Sequence, residues 1–265
     1  MELVVDYCNH FFISQMASKI RYVMMNPPFS KKAIQDVINL GIKPILNFYC
    51  LLNPKQLEEK IVALLEFQEM DCLFYVTDLG LAYHLKKLGL EQRVIYDPTT
   101  MITNTLDAKE YALKNFLAVG ISNEIPLRDA ILIAKEVPSF YQLFGYRLMF
   151  YSARRLISLY GDKNKIPYSN GFYELKEASR DEHFLVKQDD NGTIVYRGYM
   201  IDILKHLDEM NAAFGYLSSV GMKEEDYKNV VEAYLKRDIE KLSKLSLPIQ
   251  DGFTYQDSVF QKEDF

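Results

Sequence analysis

The stretch YQLFGYRLMFYSARRLISLY, residues 141–160, combines a serine and two arginines at one predicted helix start. It begins as an apolar, aromatic strand pattern, is predicted to turn at Phe144-Gly145, and then takes on a helical pattern. A strand that delivers Ser152, Arg154 and Arg155 to the start of a helix predicts a local anion site, because backbone N–H groups and guanidinium forks both bind oxyanions.

Arg147 joins Arg154 and Arg155 as the densest cationic group in the middle of the chain. Arginine forks suit phosphate or carboxylate groups. The alternative is that one of these arginines pairs with Glu124 or another acid inside the barrel mouth. The sequence leaves both interpretations open.

The elements that must position these residues alternate between short apolar strands and amphipathic helices, which predicts a parallel sheet. Asn53 before Pro54 is a suitable helix start, and Gly41 and Gly89 are suitable helix ends. The predicted strands cover residues 2–6, 20–25, 44–49, 72–76, 93–96, 117–121 and 140–144, and the predicted helices cover residues 31–40, 54–69, 79–88, 106–115 and 127–137.

Seven or eight such units in one chain favour an α/β fold of the TIM-like (β/α) barrel type over an open doubly wound sheet. No glycine-rich phosphate fingerprint follows the first strand, which argues against a Rossmann domain. We expect a single barrel-like domain over residues 1–265, with an irregular or missing element near residues 9–18.

An insertion is predicted over residues 161–199. Within it, residues 183–198 read as a β-hairpin whose turn ends in Asn191-Gly192, a pair suited to positive φ. C-terminal helices are predicted over residues 200–214 and 224–242, with a last strand at residues 216–220. A C-terminal extension covers residues 243–265, and its residues 252–260 alternate like an edge strand.

In a barrel, functional side chains lie at the carboxyl ends of the strands. Glu124 follows a strand directly and is a candidate general base or ligand anchor, or else an acid at the next helix start. Asp78 binds a ligand or caps its helix, and Thr103 and Asn104 hydrogen-bond a ligand or only shape a turn. The full set of residues at predicted strand ends is Asp6, Asn26, Asn47, Asp78, Asp97, Ser122, Asn123, Glu124, Arg147 and Ser152.

Composition excludes several classes of protein. A net charge of −5 means that any RNA contact must use a local basic patch. No apolar run is long enough to span a membrane, and the N-terminus lacks the basic region of a signal peptide, so we expect a cytoplasmic protein. The three cysteines, Cys8, Cys50 and Cys72, lack CxxC spacing and read as buried thiols. The four histidines form no catalytic or metal-binding motif.

Several motifs now carry a resemblance to peptidase family U-32, the collagenase-like peptidases. AVGISNEIPLRDAILIA resembles the family's strand–Glu–helix segment, and FYQLFGYRLMFYSARRLISLY is similar to its signature. The signature of the clostridial and bacillar branch, VHGxxxMFxSxRxLxxNY, is the nearer form. YELKEASRDEHFLVKQDDNGTIVYRG and GFTYQDSVFQK resemble the insertion and the ending of that branch. The chain matches the branch signature at Gly145, Met149, Phe150, Ser152, Arg154, Leu156 and Tyr160.

The resemblance covers roughly residues 20–265 and implies a TIM-barrel-like domain. It also implies one of several roles: hydroxylation of the tRNA wobble uridine, hydroxylation of ribosomal RNA, or oxygen-independent ubiquinone synthesis. The family's peptidase label has little mechanistic support. Many members bind a four-iron cluster through four cysteines.

Departures from the family pattern bear on chemistry. Phe144 stands where the signature has histidine, Leu148 where it has cysteine, and Asn123 where an arginine precedes the family glutamate. No cysteine follows Cys72, so we expect no iron–sulfur cluster and no other cofactor. Residue by residue, the resemblance leaves as site candidates Glu124, Ser152, Arg154, Thr103 and Asn104.

Three functions follow as hypotheses. The first is a U-32 protein acting in tRNA wobble-uridine hydroxylation, with tRNA bound through a local basic patch and a paralogue or a second copy as partner. The second is a non-catalytic, degenerate partner subunit of an active homologue. The third is a collagenase-like protease. No membrane partner is expected under any of them.

Overall fold

A computed structural model describes residues 1–49, 51–177 and 183–256 of the protein. Eight parallel strands form a closed barrel, because each of the first seven pairs with its successor and the last strand pairs with both the first and the seventh. This confirms the predicted TIM-like (β/α) barrel. The barrel strands are β1 (Glu2–Asp6), β2 (Tyr22–Met25), β3 (Lys43–Phe48), β4 (Leu73–Val76), β5 (Val94–Tyr96), β6 (Ala118–Gly120), the first part of β7 (Ser139–Ser152) and β11 (Phe214–Leu217).

Helices follow the first six strands and cover the outside of the barrel. Asn53 and Gln56 form a reciprocal capping box at one predicted start, and Gly41 and Gly89 end helices with φ of 75° and 71°. The element near residues 9–18 was predicted to be irregular or missing, and this is wrong, because Asn9 caps a regular helix there. The helices are α1 (His10–Met16), α2 (Lys31–Asn39), α3 (Pro54–Leu65), α4 (Leu79–Lys87), α5 (Thr105–Ala112) and α6 (Leu127–Glu136).

Two apolar cores result from the alternation of side chains along the strands. On β1, Val4 belongs to the cluster inside the barrel, whereas Val5 packs in the larger cluster between barrel and helices. The inner cluster fills the barrel, so the barrel is a packed core and not a pore. Its buried members are Val4, Met24, Ile45, Leu73, Tyr75, Ile95, Ala118, Phe140 and Phe214.

The predicted turn at Phe144-Gly145 is wrong, because β7 runs without a break for 14 residues. Gly145 has a φ of +108° and lies against Ser218, where an added Cβ would come within 2.9 Å of the Ser218 carbonyl oxygen. The glycine therefore marks an irregularity in the strand, where its register with β11 shifts, and does not end it.

The second half of β7 leaves the barrel and joins a group of three antiparallel strands outside the ring. The predicted hairpin is confirmed, with Asp190-Asn191 as its two-residue loop and Gly192 at φ +137°. We call residues 146–199 the arm. Its elements beyond β7 are α7 (Leu156–Asn164), β8 (Gly171–Lys176), β9 (His183–Asp189) and β10 (Gly192–Asp202).

The helix predicted over residues 200–214 is wrong. Met200 to Asp202 continue β10 and pair with β7, after which one 3₁₀ turn (Leu204–His206) leads to β11. Sheet pairing with a distant segment overrides the local helical pattern here. The last helices are α8 (Glu224–Lys236) and α9 (Ile239–Ser243).

The residues after these helices pack against the barrel at the start of α6, where the Thr254 carbonyl accepts from the Leu127 N–H at 2.8 Å. We call this region the barrel shoulder. Residues 251–256 form turns and not the predicted edge strand, and the remainder of that prediction, residues 257–260, lies outside the described residues. Among the helices of the described residues, none has the length and hydropathy needed to cross a membrane.

Candidate functional site

The carboxyl end of the barrel carries a ring of polar side chains, one from each of its eight strands or the residues directly after them. Strand alternation places them on the inward face, one layer above the apolar interior. We call this set the polar ring. It consists of Asp6, Asn26, Asn47, Thr77, Asp97, Ser122, Gln142 and Ser218.

Asp6 is one of two buried carboxylates in the polar ring, with 2% of its surface exposed. Its Oδ1 accepts a hydrogen bond from the Tyr216 hydroxyl at 2.8 Å, and its Oδ2 accepts from the backbone N–H and the Oγ of Ser219, both at 2.7 Å. Burial raises the pKa of Asp6, and these hydrogen bonds oppose that rise. The carboxylate ties β1 to the end of β11.

Asp97 is the second buried carboxylate, and it accepts from the Tyr75 hydroxyl at 2.7 Å and from the Thr99 N–H at 2.8 Å. Burial is the main cause that raises the pKa of Asp97. Burial and the neighbouring carboxylate also raise the pKa of Tyr75 well above its usual range. Gly120 on the adjacent strand leaves the space that the Asp97 side chain fills.

The polar ring is most accessible at β2 and β3. Asn26 is exposed and its Oδ1 accepts from Asn47 Nδ2 at 2.7 Å. Thr77 lies deeper, and its buried hydroxyl has no hydrogen-bond partner among the described residues. Tyr49, which follows β3, makes an edge-to-face contact with Tyr151 of the arm. The arm therefore reaches over this side of the ring.

The arm also covers the β1 side of the ring. The Asp6 carboxylate contributes, after burial, to the raised pKa of Tyr196 on β10. Lys187 on β9 in turn helps to lower the pKa of Asp6. Coulombic effects of this kind fall off with distance, so both side chains lie near the ring.

The chemistry of the ring is hydrogen bonding. Its carboxylates, amides and hydroxyls can bind a polar ligand with both donors and acceptors, and none of its eight members is a cysteine or histidine. Cys8 follows β1 and Cys72 precedes β4, so these two thiols lie at opposite ends of the barrel and do not fit a shared cluster. Among the described residues, no group of three His, Cys, Asp or Glu could hold a metal ion.

The predicted site residues are only partly brought together. Asn47 is in the polar ring. Asp78 caps α4, where its Oδ1 accepts from Leu81 N at 3.0 Å. Asn104 caps α5 in the same way, and Thr103 beside it is exposed. Asp78 therefore matches its capping interpretation, and the cap at Asn104 is consistent with shaping the turn. A role of these positions in ligand binding stays a prediction.

Glu124 and Arg147 line a separate small cleft on the barrel shoulder. Glu124 is exposed. Arg147 is buried and donates to the Asn123 carbonyl at 3.1 Å and to the Tyr141 hydroxyl at 2.6 Å. Among the described residues, no carboxylate lies within ion-pair distance of Arg147, so the alternative that one of the three arginines pairs with an acid does not hold for this arginine.

Ser152, Arg154 and Arg155 lie on the arm. The helix starts slightly later than predicted, at Leu156, and Ser152 Oγ accepts from the Arg154 N–H at 3.1 Å. Arg155 donates to Asn170 Oδ1 at 2.9 Å, whereas the exposed Arg154 side chain has no ion pair or hydrogen bond within the described part of the chain. The three residues lie within one short segment of the arm, where Arg154 and Arg155 are exposed, and none of them belongs to the polar ring.

Asp6 and Asp97 lie at predicted strand ends but are not among the predicted site residues. The predicted site does not include Thr77, Gln142 or Ser218 either. The alternation of side chains along a strand could have identified them. Each lies an even number of residues beyond a residue of the inner core on the same strand, and therefore points inward as well. Asp78 fails that test, because it follows the inward Thr77 directly.

A family model described as Peptidase family U32 matches residues 12–244. No curated protein is significantly similar to the chain. Among solved structures, the 3-dehydroquinate dehydratase from Aquifex aeolicus VF5 is similar at 18% identity and a TM-score of 0.37, over 53% of this chain and 78% of that chain. That similarity is too distant to bear on function.

Proposed function

The chain belongs to peptidase family U32, and we propose that it acts in the hydroxylation of the tRNA wobble uridine and not in proteolysis. The observation that carries this proposal is the surface of the arm, which combines basic side chains with exposed aromatic rings beside the polar ring. Backbone phosphates and unstacked bases are the two features of RNA that such a surface binds.

The first half of the arm is basic, although the whole protein is acidic. Five basic and two acidic residues lie from Arg154 to Lys176, in a chain whose net charge is −5. Arg154 and Arg155 are exposed at the junction between β7 and α7. A local basic patch of this kind can contact phosphates although the protein as a whole is acidic.

Aromatic rings on the same arm are exposed to an unusual degree for apolar side chains. Bases stack on such rings, with about 1–3 kcal/mol for each base by alanine substitution. The exposed rings are Phe150 at 48%, Tyr160 at 62%, Tyr168 at 41% and Phe172 at 51%. Basic and aromatic groups on one projecting element favour a single-stranded RNA segment, such as an anticodon loop, as the ligand.

The polar ring suits recognition of a polar ligand better than peptide hydrolysis. Peptide hydrolysis requires an activated nucleophile or a metal-bound water. Asp6 and Asp97 are instead held by tyrosine and backbone donors. The amides of Asn26 and Asn47 are donors and acceptors of the kind that a nucleobase edge requires, and so is the Thr77 hydroxyl, which has no partner among the described residues.

Mass spectrometry of tRNA from a strain lacking this gene tests the proposal. Loss of wobble 5-hydroxyuridine, restored by the unmodified chain but not by a variant with Arg154→Gln and Arg155→Gln, is expected. Unchanged 5-hydroxyuridine in the deletion strain would contradict the proposal.

A second candidate function is that of a non-catalytic partner subunit of an active homologue. The observation in its favour is the position of Phe144, which stands where the family signature has histidine. Its ring is fully buried in the larger apolar cluster, between the barrel and the helices, and packs edge-on against Tyr234, with 6.0 Å between ring centroids. A phenyl ring cannot transfer a proton, so this position carries no acid–base chemistry in this chain.

Affinity purification from cells distinguishes the two roles within the same pathway. A partner subunit should copurify with a second U32 protein, and the purified chain alone should leave the tRNA unmodified. An enzyme acting alone should instead modify the tRNA without that protein. Cleavage of gelatin by the purified chain, abolished by a substitution in the polar ring, would support the collagenase-like interpretation over both.

A further inference from the structure

The outward face of α5 carries an exposed stripe that is apolar at both ends and charged in the middle. The exposed residues of this helix and its C-cap are Leu106, Lys109, Glu110 and Leu113. Spacings of three, four and seven residues place all four on one side of the helix. Leu106 is 76% exposed and Leu113 73%, the highest values of any large apolar side chain among the described residues. Leucines exposed to this degree at both ends of one helix indicate a contact surface.

Helix α6 widens the stripe into a patch. Lys109 Nζ on α5 lies 2.7 Å from Glu136 Oε2 on α6, and the two helices run in the same direction along the barrel wall. Leu132 lies one turn before Glu136, as Leu106 lies one turn before Lys109, so the two leucines are at the same level. Leu132 is 56% exposed. The patch therefore holds three exposed leucines beside an ion pair whose charges cancel.

The stripe on α5 is complementary to itself under a two-fold rotation. Two copies of α5 can pack antiparallel about an axis that passes between Lys109 and Glu110. Leu106 of each copy then meets Leu113 of the other, and Lys109 of each copy meets Glu110 of the other. Each leucine faces a leucine, and each charge faces its opposite. Glu110 forms no ion pair among the described residues of its own chain, so its carboxylate is available for this contact.

The charges of this patch favour a second copy of the chain over other partners. The patch holds one lysine and two glutamates, Glu110 and Glu136, so it does not attract the phosphates of RNA. A partner of different sequence does not require Lys109 and Glu110, or the two leucines of α5, to be placed symmetrically about one axis. A second copy requires that placement, because both sides of a two-fold interface are the same surface.

We propose that α5 and α6 form the interface of a homodimer in which the two copies of α5 pack antiparallel. The helices run along the barrel axis, so this arrangement turns the two barrel mouths to opposite ends of the dimer and leaves both polar rings uncovered. The patch is small for a protein interface, and we expect a Kd on the order of 1–10 µM. This inference does not depend on the proposed role in tRNA modification, because it concerns the outer wall of the barrel.

Analytical ultracentrifugation of the full chain, at concentrations that bracket this Kd, tests the proposal. The unmodified chain should change from monomer to dimer over that range. Leu106→Arg and Leu113→Arg should each weaken the dimer by about tenfold or more. Both side chains project into solvent, so circular dichroism spectra of these variants should match that of the unmodified chain. Phe11→Arg is the matched control and should leave the dimer intact, because Phe11 is 69% exposed on α1, across the barrel from α5.

Two charge variants test the antiparallel arrangement. Glu110→Lys places two lysines of one copy against two of the other, and Lys109→Glu does the same with glutamates. Each variant alone should dimerise about three- to tenfold more weakly than the unmodified chain, as expected for exposed ion pairs that are replaced by repulsion. An equimolar mixture of the two variants should dimerise more strongly than either alone, because every lysine then faces a glutamate.

Three results would overturn the proposal. One is a monomer at concentrations well above the expected Kd, including a monomer that instead forms a one-to-one complex with a second U32 protein. Another is a dimer that Leu106→Arg and Leu113→Arg leave unchanged. The third is a mixture of Glu110→Lys and Lys109→Glu that dimerises no better than the separate variants, since the two copies of α5 would then not meet in this arrangement.

Discussion

The Tyr75 hydroxyl on β4 donates to Asp97 Oδ2, directly after β5, at 2.7 Å inside the barrel mouth. Both side chains are buried, so the hydrogen bond links two adjacent strands at the level of the polar ring. The second carboxylate oxygen accepts from the Thr99 N–H, which fixes the loop after β5. The pair therefore fixes the shape of the ring on the β4–β5 side.

Asp97 gives the stability of the protein a defined dependence on pH. Burial raises its pKa above the ordinary value of 3.8, so the folded state binds a proton in a range where the unfolded chain has already released it. Stability should fall as the pH rises from 3.8 through the folded pKa, because the unfolded chain releases this proton more readily than the folded protein does.

Asp97→Asn removes this titration. The free energy of unfolding of the variant, relative to the unmodified chain, should therefore increase as the pH rises through that window. Urea unfolding of both proteins from acid to neutral pH measures the difference. Two curves that stay parallel over the whole range would show that Asp97 has the same pKa in the folded and unfolded states.

Gly120 makes the position of Asp97 possible. A Cβ added at Gly120 would lie 2.1 Å from Asp97 Cγ and 2.5 Å from Asp97 Cβ. Gly120→Ala should therefore lower stability by about 1–3 kcal/mol through overpacking. Urea unfolding measures this decrease.

A double-mutant cycle tests whether Asp97 is the cause. Asp97→Gly removes every atom that the new methyl group would approach most closely. The double variant should be destabilised by less than the sum of the two single effects, with a coupling of about 0.5–3 kcal/mol. Strict additivity would place the conflict elsewhere.

Sequence reasoning succeeds for the barrel because its signals are local. Apolar runs of strand length, helix caps such as Asn53 and glycine ends such as Gly41 each lie within a few residues of the element they define. The TIM-like order of strands follows from that alternation. Bounds differ from the predicted ones by only a few residues for most of these elements.

The failures have a common physical cause, which is pairing between distant segments. Gly145 reads as a turn, yet β7 continues because β10 pairs with it from some 50 residues away. The same pairing turns residues 200–202 into strand. The polar ring also depends on the whole barrel. Asp97 and Asp78 both follow a strand directly or nearly so and look alike in sequence. Only the direction in which each side chain points in the closed barrel distinguishes the inward carboxylate of Asp97 from the helix cap of Asp78.

The arm should contribute the salt-dependent part of RNA binding. Arg154→Gln together with Arg155→Gln should weaken binding of an anticodon stem-loop and reduce the slope of log affinity against log salt by about 0.7–0.9 for each phosphate that the variant no longer neutralises. Fluorescence anisotropy at several salt concentrations measures both. Arg21→Gln, at the other end of the barrel, should leave the slope unchanged. An equal effect of this control would indicate non-specific attraction alone.

Restoring the family histidine at position 144 should not restore acid–base function there. In Phe144→His the imidazole would occupy a fully buried apolar position against Tyr234, where it would lose its hydration without reproducing the packing of the phenyl group. We expect a destabilisation of about 2–4 kcal/mol. Burial disfavours the charged imidazolium, so the folded pKa of the new histidine should lie below the ordinary value of about 6.5, and stability should fall further as the pH drops through that value.

Urea unfolding at neutral and acid pH measures the expected loss of stability. The level of 5-hydroxyuridine in tRNA from a deletion strain complemented with Phe144→His measures the effect on function. Leu148→Cys, at the half-buried position where the signature has cysteine, is the matched control and should change stability much less. A gain of 5-hydroxyuridine in Phe144→His above the level given by the unmodified chain would mean that this position reaches the substrate. Such a gain would place the reacting groups on β7 and count against a non-catalytic partner role for the chain.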